Sequence, residues 1–177
     1  MSTDTLTHPP DTQSVPPEHW RIDPTRSSVE FHAQTLWGLT TVKGRFDRYQ
    51  GTLDLQQNPV IELTIDAASI NTNLGFRDRH LRSADFFDVV NHPQVSFMSD
   101  SATLEGERLH VRGRLQAAGQ SIPLELDARL RRLGQELEVD ARTNADHRKL
   151  GMSHGLLGMI PTPSELIVHG RLVRSVT

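Results

Sequence analysis

The sequence predicts an all-β fold, an antiparallel barrel or sandwich of about eight strands with one short helix. Three observations predict it. From Trp20 onward apolar and polar residues alternate with a period of two, the pattern of half-buried strands. In the second half a glycine-containing turn recurs after about a dozen residues, at Glu105-Gly106-Glu107, Ala118-Gly119-Gln120 and Leu133-Gly134-Gln135. One segment of the ordered part, Arg77–Asp88, reads as a helix. An eight-stranded barrel is either filled by its side chains or holds one small ligand, and closure removes the edges that invite aggregation.

The elements follow in chain order. Residues 1–17 are polar and carry Pro9, Pro10, Pro16 and Pro17. That composition predicts a disordered tail, which leaves 18–177 as one domain. Val29, Phe31 and Ala33 alternate with Glu30, His32 and Gln34 in an early strand. Leu36-Trp37-Gly38-Leu39 breaks the alternation and places Trp37 at a rim. Val42–Leu55 contains Gly44 and Gly51 and reads as a long bent strand or a hairpin. Asn58-Pro59 is a turn, after which Ile61, Leu63, Ile65 and Ala67 alternate with Glu62, Thr64 and Asp66.

The helix comes next. Asp78 and Arg82 stand four apart, a spacing that allows an ion pair worth about 0.3–0.5 kcal/mol. Leu81, Phe86 and Phe87 supply apolar bulk, and Asn91-His92-Pro93 stops the segment. The expected role is to cap one barrel end, with Asp78, Asp85 and Asp88 neutralised by Arg77, Arg79 and Arg82. Four further alternating runs follow: Leu109 to Ala117, Leu124 to Leu130, Leu137 to Thr143 and Leu166 to Leu172. Before them, Val95 and Phe97 share one face of a strand. Gly151–Pro163 has neither period and is apolar and rich in glycine and proline. It is either a lid or binding loop, or a plug in which Leu156, Leu157, Met159 and Ile160 are ordinary core.

Composition narrows the function. With 177 residues the chain can bury a real core, and with no cysteine it can form no disulfide, zinc-thiolate site or thiol nucleophile. A net charge of -3, both signs mixed, argues against a nucleic-acid surface. Arg129-Leu130-Arg131-Arg132, the densest basic spot, reads as a solvated strand end. No run approaches the roughly 20 apolar residues of a transmembrane helix. The first residues lack a basic and an apolar leader region, so a cytoplasmic protein is expected.

Catalytic and metal motifs are sparse. Gly151-Met152-Ser153-His154-Gly155 fits G-x-S-x-G, but a second glycine and a proline follow where a helix is needed. Of the nine histidines, His32, His110 and His169 lie on polar strand faces, and no H-E-x-x-H occurs. His80 and His92 flank Phe86-Phe87, where either could orient a polar head group or bond to backbone. The reading that remains is a binding protein with an apolar interior. It is not an enzyme and uses no metal or cofactor. The competing readings are an enzyme acting inside the cavity, through Ser153 or as an isomerase, and a filled barrel that serves as an interaction module.

The residues also resemble a family. Arg77-Asp78-x-His80-Leu81-Arg82-Ser83-x-Asp85-Phe86-Phe87-Asp88, followed by Pro93 and Phe97, is similar to the signature of the YceI-like family. Trp20-x-Ile22-Asp23-Pro24, Ser27-Ser28-Val29-x-Phe31, Val42-x-Gly44-x-Phe46 and Arg148-x-Leu150-Gly151-Met152 resemble its other segments, in order. The resemblance implies a lipocalin-like eight-stranded barrel with a long apolar tunnel. It also implies a long-chain polyisoprenoid or isoprenoid-quinone-like lipid as ligand, without catalysis, and a possible homodimer. Four places depart from the family pattern: Arg26, Thr35, Leu115 to Gln120, and Leu150. They bear on the polar end of the pocket, and so on the head group.

The inward face of the alternation then gives the expected tunnel: Phe31, Phe46, Ile65, Phe97, Val111, Leu115, Leu126 and Val139. Trp37, Leu81, Phe86, Met152 and Met159 are expected at its ends.

Overall fold

The computed structural model describes residues 18–35, 40–56, 58–152 and 163–175. The expectations for the 1–17 tail, for Trp37 and Met159, and for Ser153 within the glycine-rich segment lie outside the described residues. Eleven strands form one antiparallel sheet, and eight of them close a circuit in the order β1-β4-β5-β7-β8-β9-β10-β11 and back to β1.

β1 (Glu18–Ile22) and β2 (Ser28–Thr35) run one after the other along β11 (Ser164–Arg174). Trp20 stands opposite Arg174, and Phe31 opposite Leu166. The corner between them is pinned to β11, where Asp23 N–H donates to the Arg171 carbonyl and Ser27 Oγ accepts from Arg171 N–H. β3 (Thr40–Phe46) and β4 (Tyr49–Leu55) behave in the same way. They pair with β2 and β1 respectively, not with each other. The 42–55 segment is therefore the long bent strand, and the hairpin alternative is set aside. The bend is at Asp47-Arg48, stapled where Tyr49 Oη donates to the Ser27 carbonyl at 2.6 Å.

β5 (Val60–Asp66) and β7 (Gln94–Glu105) continue the sheet from β4, and a bulge between Ser99 and Ser101 bends β7. β8 (Arg108–Ala117), β9 (Gln120–Leu133) and β10 (Glu136–Ala145) complete the meander. In β8 exposed and buried residues alternate without exception. The β8–β9 turn has Ala118 and Gly119 at φ 47° and 74°, the two left-handed positions of a tight hairpin.

Between β5 and β7 the chain makes a 3₁₀ turn at Ala67–Ser69, a short β6 (Ile70–Asn71) against β3, and the helix α1 (Gly75–Arg82). The helix is shorter at its C-terminus than expected. Ser83 is already extended and its N–H bonds back to the His80 carbonyl, so Ser83–Asn91 is a series of turns. Eight residues make a marginal helix, and its Leu74 N-cap supplies no side-chain acceptor. Tertiary bonds hold it instead. Asp78 Oδ1 accepts from Thr72 N–H at 2.9 Å and from Thr72 Oγ1 at 2.5 Å, and both residues are buried. Arg77 Nε and Nη2 donate to Thr72 Oγ1 and O. Arg82 Nη2 donates to the Ile70 carbonyl at 2.7 Å. The expected Asp78–Arg82 pair is thus replaced by bonds to Thr72 and Ile70, just ahead of the helix. Asp88, too, binds the Asn91 amide rather than an arginine.

Candidate functional site

The eight-stranded circuit encloses a cavity of about 230 Å³. Strand alternation creates it, because one whole row of each strand points inward. Phe31, Phe46, Ile65, Phe97, Val111, Leu115, Leu126 and Val139 all line it, together with Leu81, Phe86 and Met152. Every expected tunnel residue within the described part is therefore brought to this one space.

One end of the barrel is plugged beyond the cavity. The inward rows of β1, β9 and β11 run out at Glu18, Trp20, Arg132 and Arg174. Trp20, 1 % exposed, is covered by the guanidinium groups of Arg132 and Arg174 at 5.6 and 5.5 Å from its ring. Both arginines donate to Glu18. The Arg132 hydrogen bond, foremost, holds the Glu18 carboxyl below its ordinary value. The basic strand end that reads as merely solvated thus also covers a buried indole.

The other end lies under α1 and the turns after it. Leu81, Phe86 and Phe87 enter from that side, and Leu150 and Met152 come from a 3₁₀ turn at His147–Leu150. The phenylalanines gather here: Phe46 meets Phe31 at 6.0 Å and Phe87 edge-on at 5.8 Å. Of the six phenylalanines only Phe76 does not line the cavity. The interior is therefore rich in aromatics. Phe31, Phe46, Phe86 and Phe87 cluster toward this end, whereas the Phe97 ring lies against Gly113 in mid-barrel.

Polar inward groups are few, and sequence reasoning missed them. The last rung of the β10–β11 ladder sets Ala145 opposite Ser164, and the 3₁₀ turn carries His147 back over that rung. His147 Nδ1 lies 3.2 Å from Ser164 Oγ, and both residues line the cavity. Burial, foremost, lowers the His147 pKa from its ordinary 6.5, with Asp146 opposing and Arg148 assisting. The ring is therefore neutral at neutral pH. Thr143 also borders the cavity, with its hydroxyl donated to the Glu125 carbonyl at 2.7 Å. The other histidines behave as solvated strand residues: His110 meets Asp127, His169 meets Asp140 and His32 meets Glu165. His80 stacks edge-on against Phe86 at 5.1 Å, a packing role. Arg26, at a position where the sequence departs from the family, bridges Asp23 and Glu136 on the outer surface.

Asp146 anchors the turn that presents His147. Its Oδ1 accepts from Arg148 N–H at 3.1 Å and Nε at 2.8 Å, and its Oδ2 accepts from Nη2 at 2.8 Å. The Arg148 guanidinium lowers its pKa from 3.8 to about 2. An unfolded chain takes up this proton near 3.8, while the folded chain resists until about 2. The anchor's contribution is therefore complete above the higher value and is lost as pH falls through the lower one. Melting temperatures of wild type and Asp146→Asn, measured from pH 5 to 2, are expected to converge across that interval; a constant gap would show that the carboxylate does not stabilise the turn.

Among the described residues no group of His, Asp and Glu has the arrangement of a metal site. No described helix is long and apolar enough to cross a membrane.

The YceI-like domain profile matches residues 20–170. The chain belongs to the YceI-like family. Protein YceI of Shigella flexneri is 37% identical over 106 residues, which cover 58% of this chain and 55% of the relative. The match thus spans little more than half of that relative's length. Among solved structures, BcnA of Burkholderia cenocepacia superposes with a TM-score of 0.78 at 16% identity, covering 85% of this chain and 98% of the other. A polyisoprenoid binding domain from Saccharophagus degradans, implicated in plant cell wall breakdown, superposes with a TM-score of 0.72 at 15% identity. It covers 88% of this YceI-like chain and 98% of the other. At those identities the superpositions speak for the fold, the lipocalin-like closed barrel expected from the sequence.

Proposed function

We propose that this YceI-like chain binds a long-chain polyisoprenoid or isoprenoid-quinone-like lipid, tail inward, and carries, stores or sequesters it without chemical change. The observation that carries this reading is the carbon-lined cavity, inside a barrel whose one end is plugged by Trp20, Arg132 and Arg174. A ligand there gains about 0.8 kcal/mol for each CH₂ it buries, which favours long chains over short ones. The likeness to a polyisoprenoid binding domain supports the same ligand class. The two kinds of barrel end suit a linear amphipathic molecule, whose last apolar carbons point toward the plug while its head stays beneath α1 and the His147 turn.

Leu126 and Glu125 provide the test. Leu126 lines the cavity, while its neighbour Glu125 is exposed and pairs with Arg112 at 3.1 Å. Leu126→Trp should fill the middle of the cavity and lower affinity for a long-chain isoprenoid at least about tenfold, with a stability loss of about 1–3 kcal/mol from overpacking. Glu125→Ala should bind as wild type does. Titrations on folded protein, with mass spectrometry of an organic extract of the purified chain, decide the matter. Equal binding by Leu126→Trp and wild type would sink the placement of the lipid.

A further inference from the structure

We propose that His147 and Ser164 are the receptor for an uncharged, hydrogen-bonding end group of the bound chain, and that the cavity rejects the same chain carrying an anionic head. The inference rests on the lipid-binding reading and specifies its ligand class.

The argument begins with what the cavity lacks. The charged residues that border it, Glu30, Glu62 and Arg142, alternate with inward residues and so occupy the outer rows. Arg142 is largely exposed and lies 3.7 Å from Glu165. Near the polar end, Arg148 is committed to Asp146, and neither Arg148 nor Lys149 is among the described lining residues. Among the described residues a phosphate or carboxylate drawn inside would meet no inward-facing cation, and an unpaired buried charge is among the costliest groups to desolvate.

What the described residues offer the cavity is one neutral pair. Thr143 is engaged with a carbonyl, which leaves His147 and Ser164 as the inward polar groups at this end. His147 Nδ1 faces Ser164 Oγ, its one hydrogen-bond contact among the described residues. A neutral imidazole has one N–H and one lone pair, and the serine hydroxyl can turn to serve either. When Ser164 donates to Nδ1, Nε2–H is left to donate. When Nδ1–H donates to Ser164, Nε2 is left to accept and the hydroxyl hydrogen is freed. The pair thus suits a ligand hydroxyl or carbonyl, one bond in either sense. It lies at the end opposite the Trp20 plug, which fixes the polarity of the bound molecule, with its tail toward Trp20 and its head beside His147.

Three probes on one diterpene-length isoprenoid skeleton separate the terms: the free alcohol, the matching hydrocarbon and the phosphate monoester. Delipidated full-length protein is titrated with each. The alcohol should bind about tenfold tighter than the hydrocarbon, the worth of one good hydrogen bond. It should bind about a hundredfold tighter than the phosphate, the cost of a buried unpaired charge. In His147→Phe the preference for alcohol over hydrocarbon should fall to nearly one; His147→Gln, which keeps a donor and an acceptor, should restore part of it. Ser164→Ala should reduce it by a smaller factor, and serves alone if the phenylalanine variant does not fold. A phosphate bound as tightly as the alcohol overturns the inference, as does a preference that survives in His147→Phe; the lipid-binding reading survives both. Failure of folded wild type to bind any of the three overturns both together.

Discussion

Gly113→Ala should destabilise the barrel by about 3 kcal/mol, at the upper end of what a single added methyl costs in a packed interior. Gly113 lies in the inward row of β8, opposite Ser99 on β7 and Leu124 on β9. A Cβ placed there would sit 2.3 Å from the Met98 carbonyl oxygen and 2.7 Å from Phe97 Cζ. The phenyl ring can turn away, but the carbonyl belongs to the strand, next to the bulge between Ser99 and Ser101. The methyl can be accommodated only by moving β7 away from β8. Gly75→Ala is the control. A Cβ there meets nothing within 4 Å, and alanine is the better residue inside a helix, so this change should be neutral or stabilise by up to about 1 kcal/mol. Urea unfolding should show a lower midpoint for Gly113→Ala with an unchanged slope. A midpoint equal to that of wild type would mean that β7 yields freely.

Asp78→Ala should cost a similar amount, about 3 kcal/mol, for a different reason. Asp78 is 7% exposed and Thr72 5%, and one carboxylate oxygen serves both the backbone and the hydroxyl of Thr72. Removing it leaves a buried N–H without an acceptor, and lost bonds to a charged group cost about 1.5–3 kcal/mol each way they are counted. Asp78→Asn keeps an oxygen in place and should cost about 1 kcal/mol. The damage should spread to the cavity, because α1 carries Leu81 and the turns after it carry Phe86 and Phe87. Hydrogen exchange should therefore quicken across residues 75–92 while the β8–β9 hairpin keeps its protection. Uniform quickening would show that the clamp supports the whole barrel.

Much of the fold was legible because a barrel wall repeats one local rule. β8 alternates strictly, and its apolar row is the cavity row. The same rule found Leu126 and Val139. It failed where the structure depends on distant partners. The bend at Asp47-Arg48 could not be told from a hairpin turn, since its meaning lies in the switch from β2 to β1 across the sheet. The i,i+4 spacing of Asp78 and Arg82 was a sound local signal, but Thr72 offered the carboxylate a buried donor pair that no spacing reveals. His147 and Ser164 went unnoticed because they bracket the aperiodic segment, and only the β10–β11 register brings them together. A histidine two residues past an alternating strand and three before Leu150-Gly151-Met152 was a signal available in the sequence.

The shared strand β11 has a kinetic consequence. It pairs with β1 and β2 across nearly the whole length of the sequence, whereas β7 to β10 pair with near neighbours. Contacts between distant parts of a chain bear the larger loop entropy and form late. On the ribosome, then, the meander can assemble first, and the early bent strands wait with an open edge until the last segment emerges. The cavity can enclose nothing before that moment, so any loading follows synthesis. A chain halted short of Leu166 would present the bare flanks of β2 and β10 to its neighbours, the geometry from which edge-to-edge aggregates grow.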